Sequence, residues 1–162
     1  MKRLPIAVLA LACAFTGCKK DNEDTPAPAQ SKTDMLTSKR WRVIADVSTE
    51  TINGKTTSYD EFADYEACEK DNFTKFSPDK TLKVDEGTLK CDPSADQQSS
   101  GTWDFNSDQS KLLLASPDLG GLTVPFELVE LNSTTIKLRL TQTFGTDPNK
   151  ETYTETYTFS AF

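Results

Sequence analysis

Thr135-Ile136-Lys137-Leu138-Arg139-Leu140-Thr141-Gln142 alternates without a break, with Ile136, Leu138 and Leu140 on one side and Lys137, Arg139 and Thr141 on the other. Side chains along a strand point to opposite faces in turn, so this period of two predicts a half-buried β-strand. Residues 151–162 repeat the pattern, setting Tyr153, Tyr157 and Phe159 against Thr152, Thr154, Thr156 and Thr158. Aromatic and β-branched residues suit a pleated, half-buried surface. No long helical pattern competes with these two segments, and the fold class they predict is all-β.

Upstream segments extend the reading. Residues 122–131 follow Gly120-Gly121 and place Val124, Phe126 and Leu128 on one face. Pro125 has no N–H to donate, so a bulge or an edge is expected there. Residues 101–105 and 111–115 flank the polar connection Asn106-Ser107-Asp108-Gln109-Ser110, a hairpin signal. Residues 73–76 and 81–84 flank Ser77-Pro78-Asp79-Lys80, whose proline suits a type I turn. In residues 41–51, Trp41, Val43, Ala45 and Val47 alternate with Arg42, Asp46 and Ser48, Ile44 being the one apolar exception on the outer face. Asn53-Gly54 then favours a tight hairpin turn. Tyr59, Phe62 and Tyr65 recur near helical spacing, which predicts a short helix or ordered loop near residues 59–67.

Strand starts at Trp41, Phe73, Thr81, Gly101, Lys111, Leu122, Thr135 and Thr152 give eight antiparallel segments joined mostly by short turns. Closing such a meander into a barrel removes its exposed edges. An eight-stranded interior is either filled by side chains or holds one small ligand.

The first residues are of another kind. Met1, Lys2 and Arg3 precede an apolar run over residues 4–15, followed by Thr16, Gly17 and Cys18. That run is shorter than the roughly 20 residues an α-helix needs to cross a bilayer, and its flanks match a secretory signal peptide. Phe15-Thr16-Gly17-Cys18 resembles the lipobox of bacterial lipoproteins, with Phe15 where leucine is usual. The resemblance implies cleavage after residue 17 and lipidation of Cys18. Two or more acyl chains hold a protein stably on a membrane where one does not.

Residues 18–34 contain Pro26 and Pro28 among charged and small residues and are expected to form a disordered tether, leaving a domain at 35–162. Asp21, Glu23 and Asp24 resemble the export signal that carries some Gram-negative lipoproteins to the outer leaflet. The expected location is the cell envelope, as an outer-membrane lipoprotein, with surface display and a periplasm-facing anchor both open.

Loss of Lys2 and Arg3 with the leader takes the formal net charge from −7 to −9. Such a surface repels nucleic-acid phosphate, so no nucleic acid is expected as a partner. The membrane is met through the N-terminal lipid, and the domain is expected to be a monomer.

Of four cysteines, Cys13 leaves with the leader and Cys18 is acylated, so Cys68 and Cys91 remain. In an oxidising compartment a disulfide is the simplest account. A metal pair and a redox pair are the alternatives, and neither has the usual spacing. The chain has no histidine, which excludes Ser-His-Asp and Cys-His machinery. Paired carboxylates are the enzymatic option left. Asp85, Glu86, Asp92 and Asp96 offer oxygens for calcium but without the spacing of a known loop. The reading is therefore of a non-enzyme with no catalytic residue, no metal and no cofactor.

Further motifs carry a family resemblance over residues 36–162: Leu36 five residues before Trp41, Cys68-Glu69-Lys70-Asp71-Asn72, Phe76-Ser77-Pro78-Asp79-Lys80-Thr81, Asp85-Glu86-Gly87, Lys90-Cys91-Asp92-Pro93 and Gly101-Thr102-Trp103. This region resembles the lipocalin-like domain of Gram-negative lipoproteins. The resemblance implies an eight-stranded barrel and Cys68–Cys91 pairing. Candidate ligand-binding residues are Trp41, Trp103, Phe126, Tyr153, Glu155 and Tyr157. Glu155, between two tyrosines, would read a polar group, unless the threonine face of that strand points inward. The expected ligand is a small apolar or amphipathic molecule or a glycan. The alternative is an interaction module with a filled barrel that works through its loops and acidic surface.

Overall fold

Antiparallel strands carry just over half of residues 30–146 and 150–162, which are the residues described by the structure, a computed structural model. The expected leader, Cys18 and the tether up to residue 29 lie outside the described residues. The tether was expected to reach residue 34, but helix α1 (Lys32–Ser38) begins earlier, capped where Ser31 Oγ accepts from the Asp34 N–H. After it come β1 (Arg40–Ile52), β2 (Lys55–Asp60), α2 (Glu61–Asp64), α3 (Ala67–Asp71), β3 (Phe73–Phe76) and β4 (Thr81–Asp85). Then follow β5 (Gln98–Phe105), β6 (Lys111–Ala115), a 3₁₀ turn (Pro117–Leu119), β7 (Thr123–Leu131), β8 (Thr135–Phe144) and β9 (Glu151–Ala161).

Each of β3 to β8 pairs antiparallel with the next, and β9 returns to pair with β1 from Trp41↔Ala161 to Ile52↔Glu151. At its start β1 also pairs with β3, through Arg40↔Lys75 and Trp41↔Thr74. Eight strands thus close a barrel, as the strand count from sequence implies. The ninth, β2, is the return arm of the Asn53-Gly54 hairpin and lies beside the second half of β1. Asn53 and Gly54 take φ of 51° and 77°, the left-handed conformations such a turn requires. The expected helix near 59–67 is present as two short helices, with β2 taking the first two of those residues.

One end of the barrel is closed. Leu36 of α1, Trp41, Phe76, Leu82, Trp103, Leu112 and Ile136 are buried together there. Both indole N–H groups are satisfied by backbone: Trp41 Nε1 donates to the Leu36 carbonyl at 2.8 Å and Trp103 Nε1 to the Ser77 carbonyl at 2.9 Å. Lys32 Nζ ties α1 to the Gln109 carbonyl in the β5–β6 turn. At the other end lie the β1–β2 hairpin, α2 and α3, and the β4–β5, β6–β7 and β8–β9 connections.

The alternation read in β1 needs correction. Val43 faces Phe159 and Ala45 faces Thr158, so one residue is inserted at Ile44. This bulge puts Ile44, 50% exposed, out of the ladder and reverses the phase of everything after it. Ala45 and Val47 therefore sit on the outer side with the threonines of β9, and Asp46 and Ser48 turn inward. At Pro125 the expected edge is present: Pro125 pairs with Leu113 of β6, whereas β7–β8 pairing starts only at Glu127↔Arg139. The bulge of that strand lies between Leu128 and Glu130.

Candidate functional site

Opposite residues in an antiparallel pair share a face, so the β1–β9–β8 registers give the inner wall layer by layer. From the closed end upward, Val43 meets Phe159 and Ile136, Asp46 meets Tyr157 and Leu138, and Ser48 meets Glu155 and Leu140. The lower layers are apolar and the upper ones acidic.

The apolar part encloses a cavity of about 310 Å³, lined mainly by inward side chains of β3, β4, β6, β7, β8 and β9, among them Phe76, Leu82, Leu114, Phe126, Leu138 and Phe159. At about 30 Å³ of liquid per molecule this is room for roughly ten waters, so the barrel is filled at its base and open above it. Leu119 of the 3₁₀ turn reaches the cavity from the open end.

The acidic part is built around two side chains that the bulge turned inward. Asp46 is 2% exposed and Ser48 1%. Helix α2 and the residues after it cover them: Tyr65 Oη donates to Asp46 Oδ2 at 2.8 Å, and Ser48 Oγ donates to Glu61 Oε1 at 2.5 Å. Tyr153, Glu155 and Tyr157 follow one another on the same face of β9, level with or next to Ser48 and Asp46. Asp46 Oδ1 is buried with no hydrogen-bond partner.

Burial raises the Asp46 carboxyl above its ordinary value, opposed by the bond from Tyr65 and reinforced by the negative charges of Glu155, Glu61 and Asp60. The tyrosines are held neutral for the same reasons. Burial, then the Asp46 carboxylate, raises Tyr65, and burial, then Glu155, raises both Tyr153 and Tyr157.

Of the residues expected to bind ligand, Phe126 and Tyr157 line the cavity and stack edge to face at 6.2 Å. Tyr153 and Glu155 stand in the acidic layers above it, so the tyrosine face of β9 does point inward. Trp41 and Trp103 lie in the packed base and are absent from the cavity wall. Asp46, Ser48, Glu61 and Tyr65 were not anticipated. Ile44 was the available signal, since an apolar residue out of phase marks where the phase changes.

Cys68 and Cys91 form a disulfide with Cα atoms 5.2 Å apart, joining α3 to the β4–β5 loop. The same loop is held by Asp71, whose Oδ2 accepts from the Thr88 and Leu89 N–H groups and from Thr88 Oγ1. These bonds lower the Asp71 pKa. A Cβ at Gly87, where φ is 68°, would collide with Asp71, so that close approach requires glycine.

The acids considered for calcium are engaged locally. Asp85 accepts from Gln97, Gln98 and the Gly87 N–H, and Asp92 from Ser94, so both acids serve their own turns. Among the described residues the one group of possible ligand atoms meeting within 4.8 Å is Glu66, Cys68 and Cys91, whose sulfurs are bonded to each other. Asp46 and Glu155, as diagonal neighbours on paired strands, have backbones about 7–8 Å apart. The carboxyls of a glycosidase pair flank a cleft, whereas Asp46 is sealed under Tyr65.

No protein-family model matches the chain, and no curated protein matches it in sequence.

Proposed function

We propose that this chain is a lipid-anchored cell-envelope protein, akin to the lipocalin-like lipoproteins, whose barrel binds one small apolar or amphipathic molecule. The observation that carries the reading is the apolar cavity of about 310 Å³, near the lower bound of the range usual for small-molecule sites. Its wall is nearly all Leu, Val, Phe and Tyr, with Thr74 and Ser116 as polar points. Burial of apolar ligand surface, at about 25 cal/mol per Å², is the driving force such a wall offers.

Position supports the same reading. Helix α1 enters at the closed end, and the tether and Cys18 precede it in sequence. An anchor at Cys18 would join the barrel through α1 at its closed end and leave the open end free for a ligand or a glycan. The chemistry proposed is binding without turnover, in a monomer that engages neither nucleic acid nor a cofactor.

Native mass spectrometry of the processed protein, extracted from its own envelope, tests this. One co-purified molecule per chain, beyond the mass of the lipid on Cys18, is the expected result. Polypeptide and anchor alone would count against it.

A second reading rests on the exposed Tyr59, Leu89, Leu122 and Phe144, all on elements of the open end. There the loops would grip a protein partner. Serine at those four positions would then abolish partner capture while leaving the cavity able to take up a probe.

A further inference from the structure

We propose that the molecule the barrel takes is a single-chain amphiphile with an uncharged, hydroxyl-rich head, an alkyl or acyl chain on a sugar or glycerol. Its tail fills the apolar cavity and its head a polar cleft beside the 3₁₀ turn. This deepens the cavity reading above and rests on it.

The cleft follows from where two strands end. β6 stops at Ala115, opposite Thr102, while β5 begins three residues further out, at Gln98. Pro117, two residues after Ala115, has no N–H with which to extend the ladder. Backbone groups of alternate residues along β5 turn to opposite sides. Trp103 donates its N–H to the Lys80 carbonyl, just before β4, so Ser100 and Gln98 turn their N–H and C=O groups toward the gap that β6 leaves. A space of about 590 Å³ lies there, lined by Asn72, Glu86, Asp96, Gln98, Ser99 and Ser100 and bordered by Pro117. At about 30 Å³ per water it has room for roughly twenty, ample for one sugar ring.

Three features set the ligand chemistry. First, the cleft mixes donors and acceptors: the Ser100 N–H and hydroxyl stand beside the Ser100 C=O and the Glu86 and Asp96 carboxylates. A hydroxyl both donates and accepts, so a polyol matches such a lining, whereas an ammonium only donates. Second, its charge has one sign. Glu86 and Asp96 line it and, among the described residues, no lysine or arginine does, so a phosphate or carboxylate head is repelled. Third, it adjoins the apolar cavity. Val84 lines both, and the 3₁₀ turn sets Pro117 on the cleft and Leu119 on the cavity. A further space of about 220 Å³ shares Val43, Thr74, Val84 and Phe159 with the cavity, and Asn72 and Val84 with the cleft. The three spaces meet around Val84, so one molecule can place its tail in the cavity and its head in the cleft.

The test measures binding of four octyl compounds to the full protein in nanodiscs, below their micellar concentrations and with empty nanodiscs subtracted: octyl glucoside, 1-octanol, octyl phosphate and octyltrimethylammonium. Octyl glucoside is expected to bind about tenfold tighter than 1-octanol, roughly the worth of one or two net hydrogen bonds. Octyl phosphate should bind weakest. Ala95→Trp and Asp96→Trp each bring an indole into the cleft from an exposed loop, outside the apolar wall. Each should bring octyl glucoside down to the level of 1-octanol, while Leu114→Trp in the cavity wall should abolish binding of both. Any of the other three binding as tightly as octyl glucoside, or a glucoside preference that survives both cleft variants, would overturn the proposal and leave the cavity reading standing. Binding of none of the four would overturn both. Should one cleft variant fail to fold, the other decides.

Discussion

Replacing both Cys68 and Cys91 by serine should cost the domain about 3.4 kcal/mol at 25 °C. The bridge closes a 23-residue separation, and the chain-entropy relation for a loop of that length gives this figure through the unfolded state. Cys91 is exposed and Cys68 only half-buried, and neither belongs to the core, so lost packing adds little. Spread over about 130 folded residues at ~2.1 cal/mol/K each, the loss lowers Tm by roughly 12 °C. At a slope near 2 kcal/mol/M it moves the urea midpoint down by roughly 1.7 M. Trp41 and Trp103 are buried in the core, so their fluorescence reports global unfolding. Reduction of the wild-type protein should reproduce the variant. A loss below about 1 kcal/mol would refute the reasoning, because chain closure would then not be what the bridge contributes.

Other substitutions probe separate joints of the structure. Gly101→Ala would drive a Cβ into the Ala115 carbonyl across the β5–β6 pair and should destabilise by about 1–3 kcal/mol in the same urea assay. Asp71→Ala should leave the barrel intact yet accelerate amide exchange at Thr88 and Leu89, whose N–H groups lose their acceptor. Asp46 has a folded pKa raised above its unfolded value, so ionising it works against the fold. Its favourable contribution is complete below the ordinary carboxylate pKa and is lost as pH rises through the raised one. Asp46→Asn should therefore match wild type in acid and be the more stable protein at pH 7, and urea midpoints measured across that range check the difference.

How far the sequence reaches can be judged strand by strand. Ile136, Leu138 and Leu140 alternate because β8 pairs with β9 over its whole length and one face is buried, so its period survives intact. Eight such segments, with turn chemistry between them, were enough to give the barrel. The failure at Ala45 and Val47 has a single cause: one inserted residue at Ile44 changes the phase, and a period-two reading has no means to see an insertion. That same bulge built the site, by turning Asp46 and Ser48 inward. Glu61 and Tyr65 were unreadable for another reason, since they reach the barrel from a connection between strands, and their partners are distant in sequence. Tyr153, Glu155 and Tyr157 were legible as one face of β9, but which face was inner depended on β1. Trp41 and Trp103 were ambiguous in sequence because their size fits a packed base as well as a ligand wall.

Base and mouth divide the work. The packed closed end, with both indoles bonded to backbone, supplies stability at the point where α1 enters. Above it the apolar wall keeps a space of about 310 Å³.

The most direct measurement is a titration of the protein with N-phenyl-1-naphthylamine, an uncharged probe that fluoresces in apolar surroundings, on wild type and on Leu114→Trp. Leu114 lines the cavity wall, and an indole there would occupy much of the about 310 Å³ available. A saturable site of one probe per chain in wild type, lost in Leu114→Trp while the variant keeps its fold, is the predicted result. Probe uptake that never saturates, or that is the same in both proteins, would contradict a ligand site inside the barrel.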